Sequence, residues 1–259
     1  SKDNLSVAET EHVYYTMPAL EKDRALVRLI EVENPESAFI FCNTKVRVTY
    51  VTTVLRRFGY DADELSSDLE QKAREKVMDR VRQGKLRLLV TTDVAARGID
   101  VPELSHVVQY EVPEDPELYI HRAGRTGRAG ATGVAITLVG DFSEQVKLKR
   151  IRDKFGVDLE ERPLPTDEDV TELVAERLTA VLESDLRQRD ILQKERLHRF
   201  LSLAKTLGES LEGQSLIAML LDDIYQQTLK AATVPSEPSE RPEKPERKEE
   251  KRGRRSRKR

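Results

Sequence analysis

Four short runs constrain this chain more than anything else in it. AFIFC at 38–42, LRLLVTT at 86–92, HVVQYEV at 106–112 and GVAITLV at 133–139 are rich in β-branched or aromatic residues and bounded by polar or turn residues. Such runs read as strands. Between them, TKVRVTYVTTVLRRFG (44–59), LEQKAREKVMDRVRQG (69–84) and PELYIHRAG (116–124) carry helical spacing. Thr44 is placed to cap the first of these helices and Gly59 to end it. In the second, Leu69, Ala73, Val77 and Val81 fall four apart and make one apolar stripe on a charged helix. Strands alternating with helices of this length predict βαβ units and a parallel sheet covered on both faces, an α/β fold. Ligands of such sheets sit beyond the carboxyl ends of the strands, where the polar loops emerge.

A different pattern follows RPLPTDEDV. Pro163 and Pro165 break the alternation, and Thr166 before Asp167, Glu168 and Asp169 predicts a helix start. From there to 231 the pattern contains only amphipathic helices, the first placing Leu173, Val174, Leu178, Val181 and Leu182 on one face. About 65 residues in three or four helices make a marginal core alone. Their apolar faces are expected to be buried against a twin copy or against the first domain.

Charge divides the chain once more. The net charge is -3, yet from Thr233 onward 11 Lys/Arg face 6 Asp/Glu, so the bulk is acidic and the end basic. The final segment is too polar to bury surface and is predicted to be disordered. It serves either as a solubilising linker or, through KRGRRSRKR, as a phosphate-binding arm. The division predicted is therefore 1–162, 163–232 and 233–259. No run of about 18 apolar residues and no secretory signal occurs, which predicts a cytoplasmic protein with no membrane contact. The single cysteine, Cys42, lies in an apolar run and reads as a buried structural thiol.

Two stretches carry chemistry. YIHRAGRTGRAG (119–130) clusters His121, Arg122, Arg125 and Arg128 among glycines. Guanidinium is planar and permanently charged and grips phosphate oxygens, so Arg125 and Arg128 could meet a transferring phosphoryl group. A surface arginine turn pairing with its own carboxylates is the alternative. TTDVAARGIDVP (91–102) places Thr92, Asp93, Arg97, Gly98 and Asp100 in a loop at a strand's end, where hydroxyl, guanidinium and glycine suit a phosphate and Asp100 a ribose.

Together, TTDVAARGID and YIHRAGRTGR resemble the fifth and sixth motifs of the superfamily 2 RNA helicases, and more narrowly the DEAD-box family. AFIFCNTK (38–45) looks like the fourth motif, and Gln71 with Arg74 matches the helix that follows it. The resemblance covers roughly residues 10–160 and implies the C-terminal RecA-like domain of an ATP-dependent RNA helicase. It implies that Arg125 and Arg128 act as arginine fingers on ATP, that His121 and Arg122 organise contacts with the facing domain, and that Asp100 binds the ribose. Thr44, Lys45, Arg74, Thr92 and Gly98 would hold the RNA backbone, independently of sequence, and Arg97 would link the RNA and ATP sides. DNA is the lesser alternative. Two positions depart from the pattern: Ser66-Ser67 stands where His-Gly is usual, and Ala123 where isoleucine is usual.

The chain has no GxxxxGK[ST] loop, no DEAD run and no SAT motif. Those belong to the family's N-terminal RecA-like domain, which would hold ATP and Mg2+ as a partner of this one. The 259 residues therefore look like the second half of a helicase, begun in an interdomain linker, ended in a charged one and inactive as an ATPase alone. Arg125 and Arg128 are expected to be exposed. The helices at 163–232 resemble, more loosely, the dimerisation segment of the bacterial cold-shock and ribosome-associated group. A homodimer is the expectation, with packing in cis or a lid on RNA as alternatives. A non-catalytic dimerisation and RNA-tethering module is the competing function.

Overall fold

In the computed structural model, which describes residues 10–97, 104–127 and 133–228, seven strands form one wholly parallel sheet. They are β1 (Thr10–Thr16), β2 (Ala38–Phe41), β3 (Ala62–Leu65), β4 (Leu88–Thr91), β5 (His106–Gln109), β6 (Gly133–Val139) and β7 (Leu159–Glu161). Their spatial order is β3-β4-β2-β5-β6-β1-β7. The helices between them are α1 (Lys22–Glu33), α2 (Lys45–Arg57), α3 (Gln71–Arg82), the single-turn α4 (Asp93–Ala96), α5 (Pro116–Ala123) and α6 (Phe142–Phe155).

Alternation along each strand sends neighbouring side chains to opposite faces. Ile40, Val90 and Val108 pack with Leu26, Leu29 and Ile30 of α1 and Val48, Val51 and Leu55 of α2. Phe39, Leu89 and Val107 face the other way, against Val77, Met78 and Val81 of α3. Further along that second face, Ala135 and Val139 meet Tyr119 of α5 and Leu148 and Ile151 of α6. The sheet is thus covered on both sides, and its central strands are almost entirely apolar because neither face meets water.

The four apolar runs became β2, β4, β5 and β6. Three strands lie outside that reading. β3, ADEL, is an edge strand paired only to β4, so its acids Asp63 and Glu64 stay partly exposed. Asp63 is held by Arg56 at 2.7 Å and Arg80 at 2.9 Å. β7 is the opposite edge and only three residues long, while β1, between β6 and β7, mixes polar and apolar residues. Thr44 caps α2 as expected, accepting from the Arg47 amide at 3.2 Å.

Beyond the sheet, α7 (Asp167–Gln188), α8 (Ile191–Gly208) and α9 (Leu211–Thr228) form the helical unit. Thr166 and Asp169 make a reciprocal capping box at the head of α7. Here the structure selects packing in cis for one part of the unit. Arg28 of α1 grips Asp167 at 2.7 Å, and Arg177 donates to the carbonyls of Glu31 and Val32 at the end of α1. Tyr225 of α9 and Tyr60 both donate to the buried Glu31 carboxylate. The face of α7 carrying Leu173, Val174, Leu178, Val181 and Leu182 is its less exposed side, with Leu178 buried. α8 has no buried residue, and its Ile191 and Leu192 are 83% and 75% exposed.

Candidate functional site

The loops carrying the candidate residues all leave the carboxyl ends of the strands, and the strand register brings them together. Phe41 lies beside Thr91 on one side and Gln109 on the other. Two residues beyond each of these come Asn43, Asp93 and Glu111. All three converge on Arg122. Its guanidinium makes a two-pronged ion pair with Asp93 at 2.8 and 2.7 Å, and donates to the Asn43 side-chain oxygen at 2.8 Å and the Glu111 carbonyl at 2.9 Å. The flat group also lies over the Phe41 ring, 5.3 Å from its centre. At 1% exposure, Arg122 is a brace between three loops. Its bonds to the described residues position α5, the helix that carries it.

Asn43 and Asp93 were missed as partners, although a signal existed. Each is a polar residue two positions beyond a strand's end, the place a register of parallel strands would bring together. Asp93 does not lie in a loop either; Thr92 caps the short helix α4 by accepting from Ala95 N at 3.4 Å.

With Asp93 committed to Arg122, the cleft beside it is left with cations. Its volume is ≈ 290 Å³, and its walls include Asp93, Ala96, Arg97, His121, Arg122 and Arg125. Arg97 and His121 are exposed. Arg125 is half-buried rather than exposed as expected, lying with its guanidinium 3.4 Å from the Ala96 carbonyl. A cleft of this size with guanidiniums on its wall fits a polyphosphate, as an ATP site requires.

Arg125 and Thr126 tie the α5 loop to the end of the preceding one. Leu104 N donates to the Arg125 carbonyl at 3.3 Å, and the buried Thr126 hydroxyl donates to the carbonyls of Leu104 and Ser105. Gly133 lets this turn close: a Cβ there would stand 2.1 Å from the Thr126 hydroxyl and 2.3 Å from the Gly127 amide. Gly98, Asp100 and Arg128 lie outside the described residues, so the segments these bonds flank carry three of the candidate positions.

On the far side of α4, the proposed RNA contacts line the same edge. Thr44 is exposed, Lys45 pairs with Asp68, and Arg74 reaches the Ala95 carbonyl at 2.7 Å. Thr92 is buried. Ser66, in one of the departing positions, is buried as well, while Ser67 is exposed. Between the two groups, Gln109 at the end of β5 is wholly buried, and both its amide atoms lack a partner among the described residues. Burial pushes the thiol of Cys42 well above its ordinary range, so it stays protonated and inert.

Comparison with known proteins agrees with this fold. Residues 21–130 match the helicase conserved C-terminal domain family. A solved structure of the C-terminal domain of the DEAD-box protein Dbp5 is 33% identical, with a TM-score of 0.58, covering 64% of this chain and 97% of that one. The chain belongs to the DEAD-box helicases. The RNA helicase CrhR of Synechocystis is 38% identical over 218 residues, which is 84% of this chain and 43% of that protein. The ATP-dependent RNA helicase DeaD of Buchnera aphidicola is 35% identical over 210 residues, 80% of this chain and 34% of the relative. Escherichia coli SrmB, solved bound to the regulator of ribonuclease activity A, is 31% identical with a TM-score of 0.56, over 61% of this chain and 92% of that chain. The DEAD-box chain described here spans less than half the length of the curated relatives it matches. None of its described helices is long and apolar enough to cross a membrane.

Proposed function

We propose that this chain supplies one half of the composite ATP site of an RNA helicase, and one wall of its RNA track. The observation that carries the reading is the convergence at the strand ends. Arg122 consumes the nearby carboxylate and locks three loops, which leaves Arg97, His121 and Arg125 around an anion-sized cleft. In this reading Arg125 and Arg128 approach the phosphates of an ATP held by an N-terminal RecA-like domain, Asp100 meets its ribose, and Arg97 joins the two sides. Mg2+ belongs to that other domain. Thr44, Lys45, Arg74, Thr92 and Gly98 contact the RNA sugar-phosphate backbone.

The chemistry asked of these residues is electrostatic. Charge spreads over the equatorial oxygens of the transferring phosphoryl group, and a guanidinium already in place there needs no reorganisation. Without a phosphate-cradling loop and a metal, however, such fingers have nothing to act on. RNA-stimulated ATP turnover is therefore expected to be absent from the 259-residue chain alone, and to appear when it is joined to a domain carrying those motifs. In the joined protein Arg125→Ala lowers kcat by about a thousandfold or more. Turnover by the chain alone would sink this reading.

The helical unit adds a second copy of the chain. Leu192, Leu201, Leu211 and Leu220 are each more than half exposed, an apolar surface that suits a partner of the same kind. Light scattering on the chain is expected to give the mass of a dimer, and Leu220→Glu that of a monomer. This reading places the protein in the cytoplasm with RNA and its own copy as partners.

A further inference from the structure

Helix α5 and the turn after it present two faces with different work. Tyr119, Arg122, Ala123 and Thr126 fall three or four residues apart, and all four are buried. Leu118, His121 and Arg125 fall on the neighbouring face and line the cleft. The turn stays coiled past the helix end, because Arg125 N donates to the Arg122 carbonyl and Thr126 N to that of Ala123. Whatever fastens the inner face therefore sets where Arg125 points.

Two of the fastenings come from the strand-end loops. Arg122 reaches Asn43, Asp93 and Glu111, and the Thr126 hydroxyl reaches the carbonyls of Leu104 and Ser105. A third comes from β1, which lies outside the segment that matches the helicase family. His12 Nδ1 stands 3.1 Å from the Tyr119 hydroxyl, and the two rings stack with 5.7 Å between their centres. Two residues earlier, on the same face of β1, the Thr10 hydroxyl donates to the Thr126 carbonyl at 3.4 Å. His12 and Thr10 are both buried. Register puts them there: β1 runs beside β6 with His12 opposite Ala135, and Ala135 packs with Tyr119. Burial pushes the Tyr119 phenol well above its ordinary range, so its hydroxyl keeps the proton.

We propose that His12, with Thr10 beside it, is a positioning residue for Arg125. It acts through Tyr119 and does not itself meet the phosphates. The inference rests on the composite ATP site for the reaction that Arg125 serves, and adds a residue from outside the matched segment. The mechanical reason is simple. A rod held by Arg122 and Thr126 can still tilt about the line that joins them. The His12–Tyr119 contact lies off that line, on the β1 side, and removes the tilt. A guanidinium stabilises a transferring phosphoryl group only when it is already in place, and a shift of about 1 Å is enough to misaim it.

The test uses the protein joined to a domain that carries the phosphate-cradling and metal-binding motifs, with RNA-stimulated ATP turnover as readout. Tyr119→Phe removes one hydroxyl and keeps the ring; His12→Ala removes the other partner. Each is expected to lower kcat by about tenfold or more while KM for ATP stays within about twofold, because a misaimed finger weakens the transition state and not ground-state binding. The double variant is expected to lose no more than the worse single one, as two halves of one contact do. His12→Asn, whose amide puts a polar atom where Nδ1 stands, is expected to recover kcat to within about threefold of wild type. Wild-type kcat in Tyr119→Phe, losses that multiply in the double variant, or no recovery in His12→Asn would each overturn the proposal. A second readout uses the 259-residue chain alone. The Arg125 Nε–H resonance is expected to shift in both single variants and to return in His12→Asn. An unmoved resonance overturns the proposal whatever the turnover. A resonance that moves, with no turnover in the joined wild type, upholds the contact and sinks the helicase reading instead.

Discussion

Arginine does opposite work at the strand-end edge and on the helical unit. Arg122 is enclosed, with a paired carboxylate, a side-chain amide, a carbonyl and an aromatic ring around it. Arg196 and Arg199, on α8, project from a helix with no buried residue. The first holds loops in place so that its neighbours can bind; the second pair has nothing of its own to hold. A guanidinium's role is thus read from its partners, and a motif's arginines divide in the same way. Arg122 is interior, and Arg125, three residues later, borders the cleft.

The largest effect is expected at Arg122. Arg122→Ala leaves the partly buried Asp93 without its counter-charge and removes a fully enclosed side chain, and is expected to lower unfolding stability by about 3 kcal/mol in urea titrations. Arg196→Ala on the helical unit is expected to change it by less than about 0.5 kcal/mol. If the two matched, Arg122 would not be the brace described. Gln109 sharpens the contrast from within the same edge. Its amide is enclosed but unpartnered, so Gln109→Leu is expected to raise stability by about 1–3 kcal/mol, and a loss of that size would show that the amide is satisfied.

Smaller effects belong to the helical unit. Thr166→Ala removes the α7 cap and costs about 1 kcal/mol, seen as a lower thermal midpoint. Hydrogen bonds from Thr166 hold the Asp169 carboxyl below its ordinary range. A depressed folded value contributes stability at neutral pH and loses it as pH falls through that value. Helicity of α7 followed by circular dichroism should therefore decline on acidification, and less so in Thr166→Ala. Leu192→Glu, on an exposed position, is expected to leave the unfolding of the monomer within about 0.5 kcal/mol. Its effect is on mass, and an unaltered mass in a dimeric wild type would place the seam elsewhere.

Much of the molecule was legible in one dimension because it depends on period. Apolar runs became β2, β4, β5 and β6, the four-residue stripe of Val77 and Val81 packed α3 on the sheet, and Thr44 and Thr166 capped the helices they precede. β3 and β7 escaped because edge strands need not be apolar: only one neighbour pairs with them, and solvent takes the rest. β1 is not an edge, but its polar positions break the run that marks the central strands.

Local features are written in one dimension: which segments are strands or helices, and which motifs occur in which order. Family resemblance rested on those motifs and needed no coordinates. Packing in three dimensions brings Asn43, Asp93 and Glu111 together on Arg122, and gives Glu31 hydroxyls from both Tyr60 and Tyr225. These contacts join residues from 11 to 194 positions apart. No periodicity encodes them. Strand register and helix docking set them, because a buried charge must find its partners wherever the chain, once packed, has brought them.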